Sequence, residues 1–119
     1  MERIHPTAVV HPEAKIADDV TIGPFAVVEA DVHIDTGTSI GPQVLVANGT
    51  RLGKRCRAYK GAVLGTDPQD LKFDGERTLL TIGDDTTIRE FATLNRGTNA
   101  TGKTVIGKNC LIMAYAHLA

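Results

Sequence analysis

Gln69, Asp70 and Lys72 put an amide, a carboxylate and an ammonium within four residues of one another, inside a stretch from Thr66 to Thr81 that reads TDPQDLKFDGERTLLT. Such a set binds a polyhydroxylated ligand well, because sugar hydroxyls both donate and accept hydrogen bonds. The same residues also describe an ordinary solvated loop, and their composition leaves both readings open. His117 stands one residue before Leu118 in an apolar run. An imidazole there is either packed or at the surface, or it serves a site that needs a group titrating near neutral pH. Arg51, Lys54, Arg55, Arg57 and Lys60 form one basic strip in the sequence. Two roles suit it: long-range steering of an acidic partner, or a charged face that keeps the protein soluble.

What must position these residues is a repeat. From Ile4, every sixth residue is Ile4, Val10, Ile16, Ile22, Val28, Ile34, Ile40, Val46 and Leu52. Four residues after each comes a small or β-branched one, from Ala8 to Cys56. The phase breaks at Ala58, resumes at Leu64 and returns at Ile82, Ile88, Leu94, Ile106, Ile112 and Leu118. A fixed period of this kind marks a solenoid. The predicted fold is all-β: a single-stranded parallel β-helix of hexapeptide repeats over 1–119, three sides to a coil, with the aliphatic residue of each hexad inside. Glycines follow the aliphatic residue directly at Gly23, Gly41, Gly53, Gly65, Gly83 and Gly107, where a turn is expected to need positive φ and bulk is unwelcome.

On a coil of 18 residues, His5, His11 and His33 do not repeat in step. They cannot stack into one metal site, and no metal is expected. Cys56 and Cys110 both take the small inward position and read as apolar fillers. Lying 54 residues apart, they are expected to sit three coils apart, about 14 Å at the usual strand spacing. That is too far for a disulfide.

Composition narrows the classes further. A formal net charge of -1 argues against a general nucleic-acid binder, which needs a basic excess to meet phosphates. No segment approaches the roughly 18 apolar residues of a membrane span, and the start shows no secretory signal pattern. The expected address is cytoplasmic. Two stretches depart from the repeat, Thr66 to Thr81 and the polar turn Asn99 to Thr104. The first is one coil long, so it either replaces a coil or projects from one. Pro6 and Pro12 finish the first coil by removing edge donors. The last ten residues are almost wholly apolar and read as a truncated C-terminal end, since repeat arrays need a polar cap. Ala92, Thr93, Gly97 and Thr98 are small enough to let a second prism approach.

Three segments carry a resemblance over the whole chain: PQDLKFDGE (Pro68 to Glu76), TIREFATLNRGT (Thr87 to Thr98) and NCLIMAYAHLA (Asn109 to Ala119). They resemble the bacterial UDP-N-acetylglucosamine O-acyltransferases of lipid A biosynthesis. The resemblance implies a homotrimer of left-handed parallel β-helices with a helical domain after the solenoid. It implies transfer of an (R)-3-hydroxyacyl chain from acyl carrier protein to the 3-hydroxyl of UDP-N-acetylglucosamine, with no cofactor. By the same analogy Asp70 and Lys72 contact the sugar, Gln69 lies beside them, and His117 is the first, supporting histidine of an H-x-x-H pair. The second, the catalytic base, is expected at position 120. No catalytic residue then lies within the chain, and the 119-residue chain by itself is expected not to turn over. Asn95 stands where many relatives carry histidine. Competing readings are the N-acyltransferase acting later in the same pathway, a non-catalytic solenoid scaffold, and a zinc hydratase, which needs histidines on adjacent coils.

Overall fold

The computed structural model describes residues 4–66, 78–96 and 103–118. Among them every regular element is a short strand, and the strands form three parallel sheets. One sheet stacks β1 (Val9–Val10), β4 (Val27–Val28), β7 (Leu45–Val46), β10 (Val63–Thr66), β13 (Thr93–Asn95) and β16 (His117–Leu118). We call it face I. Face II stacks β2 (Lys15–Ile16), β5 (Val32–Ile34), β8 (Thr50–Leu52), β11 (Leu79–Ile82) and β14 (Lys103–Ile106). Face III stacks β3 (Thr21–Ile22), β6 (Ser39–Ile40), β9 (Arg57–Ala58), β12 (Thr87–Ile88) and β15 (Leu111–Ile112). The chain visits faces I, II and III in turn, which is the three-sided parallel β-helix expected from the period of six.

Register explains why that period is so strict. Val10 pairs with Val28 and Val28 with Val46, so each aliphatic residue lies over its counterpart one coil below. Ile22, Ile40, Leu64, Ile82, Ile88 and Leu94 are fully buried, and Val20, Ala26, Val32, Thr38, Val44, Thr50, Cys56 and Ala62 fill the small inward position. Burying one such Ile or Leu stabilises the fold by about 1.5–3 kcal/mol. Ala58 is no break in the repeat: it sits in β9, paired with Ile40 and Ile88, and points inward like its neighbours.

The corners correct the glycine expectation. Positive φ falls on the third residue after the aliphatic one, at Phe25, Gln43, Arg55, Asp85, Phe91, Asn109 and Tyr115 as well as at Gly37, Gly49 and Gly61. Of the glycines directly after the aliphatic residue, Gly65 alone has it. A non-glycine residue in this region costs on the order of 1–3 kcal/mol. The offset is a hydrogen bond between coils: the N–H of Gln43 donates to Pro24 O at 3.0 Å, that of Asp85 to Lys54 O at 2.8 Å, and that of Tyr115 to Glu90 O at 3.0 Å. Gly41 shows what excludes bulk from the other position, since a Cβ there would lie 2.9 Å from Ala58 O of the next coil.

Two further expectations change. The five basic residues do not make a strip, because they wrap one coil. Arg51 lies on face II beside Asp31, Arg55 sits at the next corner against Asp85, and Arg57 is on face III. Cys56, Thr86 and Cys110 form one column, given that Arg57 pairs with Thr87 and Thr87 with Leu111. The thiols are thus two coils apart, about 10 Å, rather than three. Both are free, and burial pushes the Cys56 thiol up.

The Arg55–Asp85 pair yields a titration test. Arg55 Nε and Nη2 donate to Asp85 Oδ1 and Oδ2 at 2.7 and 3.0 Å, and this hydrogen bonding holds the Asp85 carboxyl below its ordinary value. A carboxyl depressed in the folded state stabilises above its unfolded pKa, and that contribution is lost as pH falls through the lower folded value. The pair is exposed, so its effect on stability is small. Carbon-detected NMR should find the Asp85 midpoint below that of an ordinary aspartate, and Arg55→Ala should move it up. A midpoint unmoved by that substitution would show that the pair does not hold in solution.

Candidate functional site

One corner of the prism differs from the other two. The chain between faces I and II passes it in every coil, and two of those passages are long: 67–77 joins β10 to β11, and 97–102 joins β13 to β14. Pairing measures the excess. Ordinary partners lie 18 residues apart, as in Val28 and Val46, whereas Leu64 pairs with Leu94, 30 apart, an excess of 12. Ile82 pairs with Ile106, 24 apart, an excess of 6. Thr66 lies in β10, and Leu79 to Thr81 lie in β11, so the ends of the irregular stretch expected over Thr66 to Thr81 are regular strand. Lys103 and Thr104 belong likewise to β14. Gln69, Asp70 and Lys72 lie outside the described residues.

Beside this corner is a cleft of about 570 Å3 lined by Glu29, Leu45, Ala47, Asn48, Gly65, Thr66 and Arg96. Asn48, Thr66 and Arg96 line it in successive coils, but not in one register: past a shift after Leu64, Thr66 pairs with Asn95 rather than with Arg96. Hydrogen bonds across coils fix the lining. Glu29 Oε1 accepts from Asn48 N at 3.0 Å, and Asn48 Oδ1 accepts from Asp31 N at 2.8 Å. Arg51 holds Asp31 twice, through its carboxylate at 2.7 Å and its carbonyl at 2.8 Å. The Arg96 side chain runs over Gly49, where a Cβ would lie 2.7 Å from Arg96 Cδ; Gly49 at φ +94 is required there for both space and conformation.

The lining mixes a guanidinium, a carboxylate, an amide and a hydroxyl, a combination suited to a ligand with hydroxyls and negative charge. Sequence reading missed Glu29, Asn48 and Arg96, although their place in the hexad was a signal. A larger cavity, about 810 Å3, lies at the first coil between Ile4, His5, Pro6, Ala8, Thr21, Ile22 and Gly23. It is the unstacked end of the prism and gathers no convergent polar set, so we place the candidate site at the cleft.

His117 lies on β16, exposed, paired with Thr93. Its outward column runs down face I through Thr93, Val63 and Leu45, and Leu45 lines the cleft. Asn95 is not a surface contact: it is 1% exposed, and its Oδ1 accepts from Thr66 Oγ1 at 3.0 Å. His5, His11 and His33 are spread over three sides, following the face III bridge at Ile4, following β1 on face I, and within β5 on face II. Among the described residues no group of three His, Cys, Asp or Glu could hold a metal. No helix there is long and apolar enough to cross a membrane.

Face I carries apolar residues outward at Val9, 63% exposed, and Val27, 36% exposed, with Phe25, Phe91 and Tyr115 exposed along its other border. The Phe91 and Tyr115 rings stack at 5.5 Å. Ala92, expected to help a second prism approach, is wholly buried and faces the core; Thr93 faces out, and Gly97 and Thr98 lie outside the described residues.

Repeat, stacking and corner geometry define a hexapeptide-repeat β-helix, and residues 13–48 match the family model described as bacterial transferase hexapeptide (six repeats). Over 98% of its length the chain is 59% identical to the acyl–(acyl-carrier-protein)–UDP-N-acetylglucosamine O-acyltransferase of Chlorobaculum parvum, and it covers 44% of that protein. It superposes on the UDP-N-acetylglucosamine acyltransferase of Francisella novicida with a TM-score of 0.95 at 40% identity, covering 98% of this chain and 43% of that one. The corresponding acyltransferase of Bacteroides fragilis gives 0.95 at 43% identity, covering 97% and 45%. The chain is thus homologous to these acyltransferases throughout and spans less than half their length. Its coil shares their left hand, contrary to the usual right-handed crossover between parallel strands.

Proposed function

We propose that this chain is part of an enzyme that transfers an (R)-3-hydroxyacyl chain from acyl carrier protein to the 3-hydroxyl of UDP-N-acetylglucosamine, the first step of lipid A biosynthesis. The observation that carries the reading is the 59% identity to an O-acyltransferase across nearly the whole chain. The polar cleft supports it, since it lies beside the corner between faces I and II, where Thr66 and Arg96 line it. On this reading Gln69, Asp70 and Lys72 bring their polar groups to the sugar. His117 supports the site from β16. A base at position 120 comes two residues after Leu118, which pairs with Leu94, the same offset at which Asn48 and Arg96 follow Val46 and Leu94. There it takes the hydroxyl proton as the thioester carbonyl is attacked. An oxyanion donor is also needed, and none is assigned within the chain.

The enzyme is a cytoplasmic homotrimer on this reading. The apolar outer column of face I, flanked by exposed aromatics, suits burial against a second copy, and a ring of three closes such contacts. The test is direct. The complete protein, given (R)-3-hydroxyacyl carrier protein and UDP-N-acetylglucosamine, should release free carrier protein and form the ester at the 3-hydroxyl. Acylation of the amine of a 3-O-acylated glucosamine nucleotide instead would favour the N-acyltransferase, and no acylation of either would favour a scaffold.

A further inference from the structure

At the lower end of the cleft, Glu29 and Asn48 hold each other in a fixed orientation. The backbone N–H of Asn48 donates to Glu29 Oε1 at 3.0 Å, and the Asn48 side chain accepts from the backbone N–H of Asp31 at 2.8 Å. A backbone N–H can only donate, so the end of the amide turned to Asp31 is the oxygen. Nδ2 is then the opposite end, and its two donors have no partner among the described residues. Glu29 Oε2 has none there either. The turn behind the pair is tied down as well, since Gly49 N–H donates to Asp31 O at 2.7 Å. Both residues line the cleft, Asn48 exposed and Glu29 half-buried.

We propose that Glu29 and Asn48 form a diol-binding subsite, in which the carboxylate accepts from one sugar hydroxyl and the amide donates to the oxygen of the hydroxyl beside it. A hydroxyl both donates and accepts, so a vicinal pair satisfies a charged acceptor and a neutral donor at once. Phosphate does not suit this end, because it would meet the Glu29 charge. Arg96 is the cation of the cleft; it follows Leu94, which lies two coils above Val46 through Leu64, about 10 Å along the axis. Hydroxyls at one end and negative charge at the other describe a sugar nucleotide. The inference therefore rests on the acyl-transfer reading and adds to it two contacts outside 67–77. The diol belongs to the ribose or to the hexose, which present the same groups.

The sign of one substitution decides it. Glu29→Gln keeps an oxygen for the Asn48 N–H and removes the charge. By long-range electrostatics alone, losing a carboxylate strengthens binding of an anionic nucleotide. With the subsite in place, the complete protein instead binds UDP-N-acetylglucosamine about tenfold more weakly in titration calorimetry, because a charge-assisted hydrogen bond is lost. Asn48→Asp keeps the oxygen for the Asp31 N–H, removes the donor and is expected to weaken binding as much. Amide exchange at Asp31 and Asn48 stays at the wild-type rate in both variants, which separates lost contact from a disturbed turn. UDP and N-acetylglucosamine 1-phosphate locate the diol: the loss in Glu29→Gln follows UDP for the ribose and the sugar phosphate for the hexose. Unchanged or tighter binding by Glu29→Gln, or a loss accompanied by faster exchange at those two amides, overturns the subsite. Failure of the wild-type protein to bind the sugar nucleotide overturns the acyl-transfer reading itself, and the subsite with it.

Discussion

In the complete protein, Asp70→Ala is expected to weaken UDP-N-acetylglucosamine binding about 10- to 100-fold, the size of a lost hydrogen bond to a charged group. Titration calorimetry with the sugar nucleotide measures it, and Lys72→Ala should fall in the same range. The physical reason is that a carboxylate accepting from a sugar hydroxyl makes a charge-assisted bond, roughly twice as strong as a neutral one. An unchanged dissociation constant for both variants would leave 67–77 as a solvated loop and return the chain to the scaffold reading. The sugar nucleotide is a better probe here than turnover, because on the proposed reading turnover also needs a base at position 120.

Leu94→Ala is expected to cost about 2–5 kcal/mol, as for other large-to-small changes at fully buried sites. Leu94 is 0% exposed and stacks between Leu64 and Leu118 on face I, in the middle of the strand that ends at Asn95. In a solenoid each coil is stabilised mainly by its neighbours, so the loss should appear first as weakened protection of β10, β13 and β16. Urea denaturation measures the total. Thr93→Ala, one residue away and facing out, should change stability by no more than about 0.5 kcal/mol. Equal effects of the two substitutions would mean that the inside and outside of face I are wrongly assigned.

The contrast between Leu94 and Thr93 was legible without coordinates. A period of six with one aliphatic position tells which side chain points in, because only a coil of three short equal sides brings every sixth residue to the same interior line. Burial of Ile22, Ile40 and Ile88 follows from that pattern, and so does pairing Ile22 to Ile40 and Val28 to Val46. The same periodicity misled where position along the axis mattered. It set Cys56 and Cys110 three coils apart when two separate them, and it read Arg51 to Lys60 as one strip when consecutive hexads turn onto different faces.

The cause is arithmetic in the chain itself. Both long passages exceed a plain coil by a whole number of hexads, 12 residues in one and 6 in the other, so the count of six runs through them without a change of phase. Phase reports which way a residue faces, and it holds no record of whether six residues form a side or leave the prism. Hydrogen-bond pairing between coils does hold that record, and only the folded stack contains it.

By itself, then, the sequence determined the repeat, the inward residues, the three-sided coil and the family it resembles, since each of these is local or periodic. Tertiary structure decided that the strands flanking both passages, β10 with β11 and β13 with β14, meet at one corner in successive coils. It also gathered Glu29, Asn48, Thr66 and Arg96 into a single cleft and turned Asn95 inward to Thr66. The four cleft residues are 18 to 67 positions apart along the chain, and only stacking, which brings each coil within about 4.8 Å of the next, makes them neighbours.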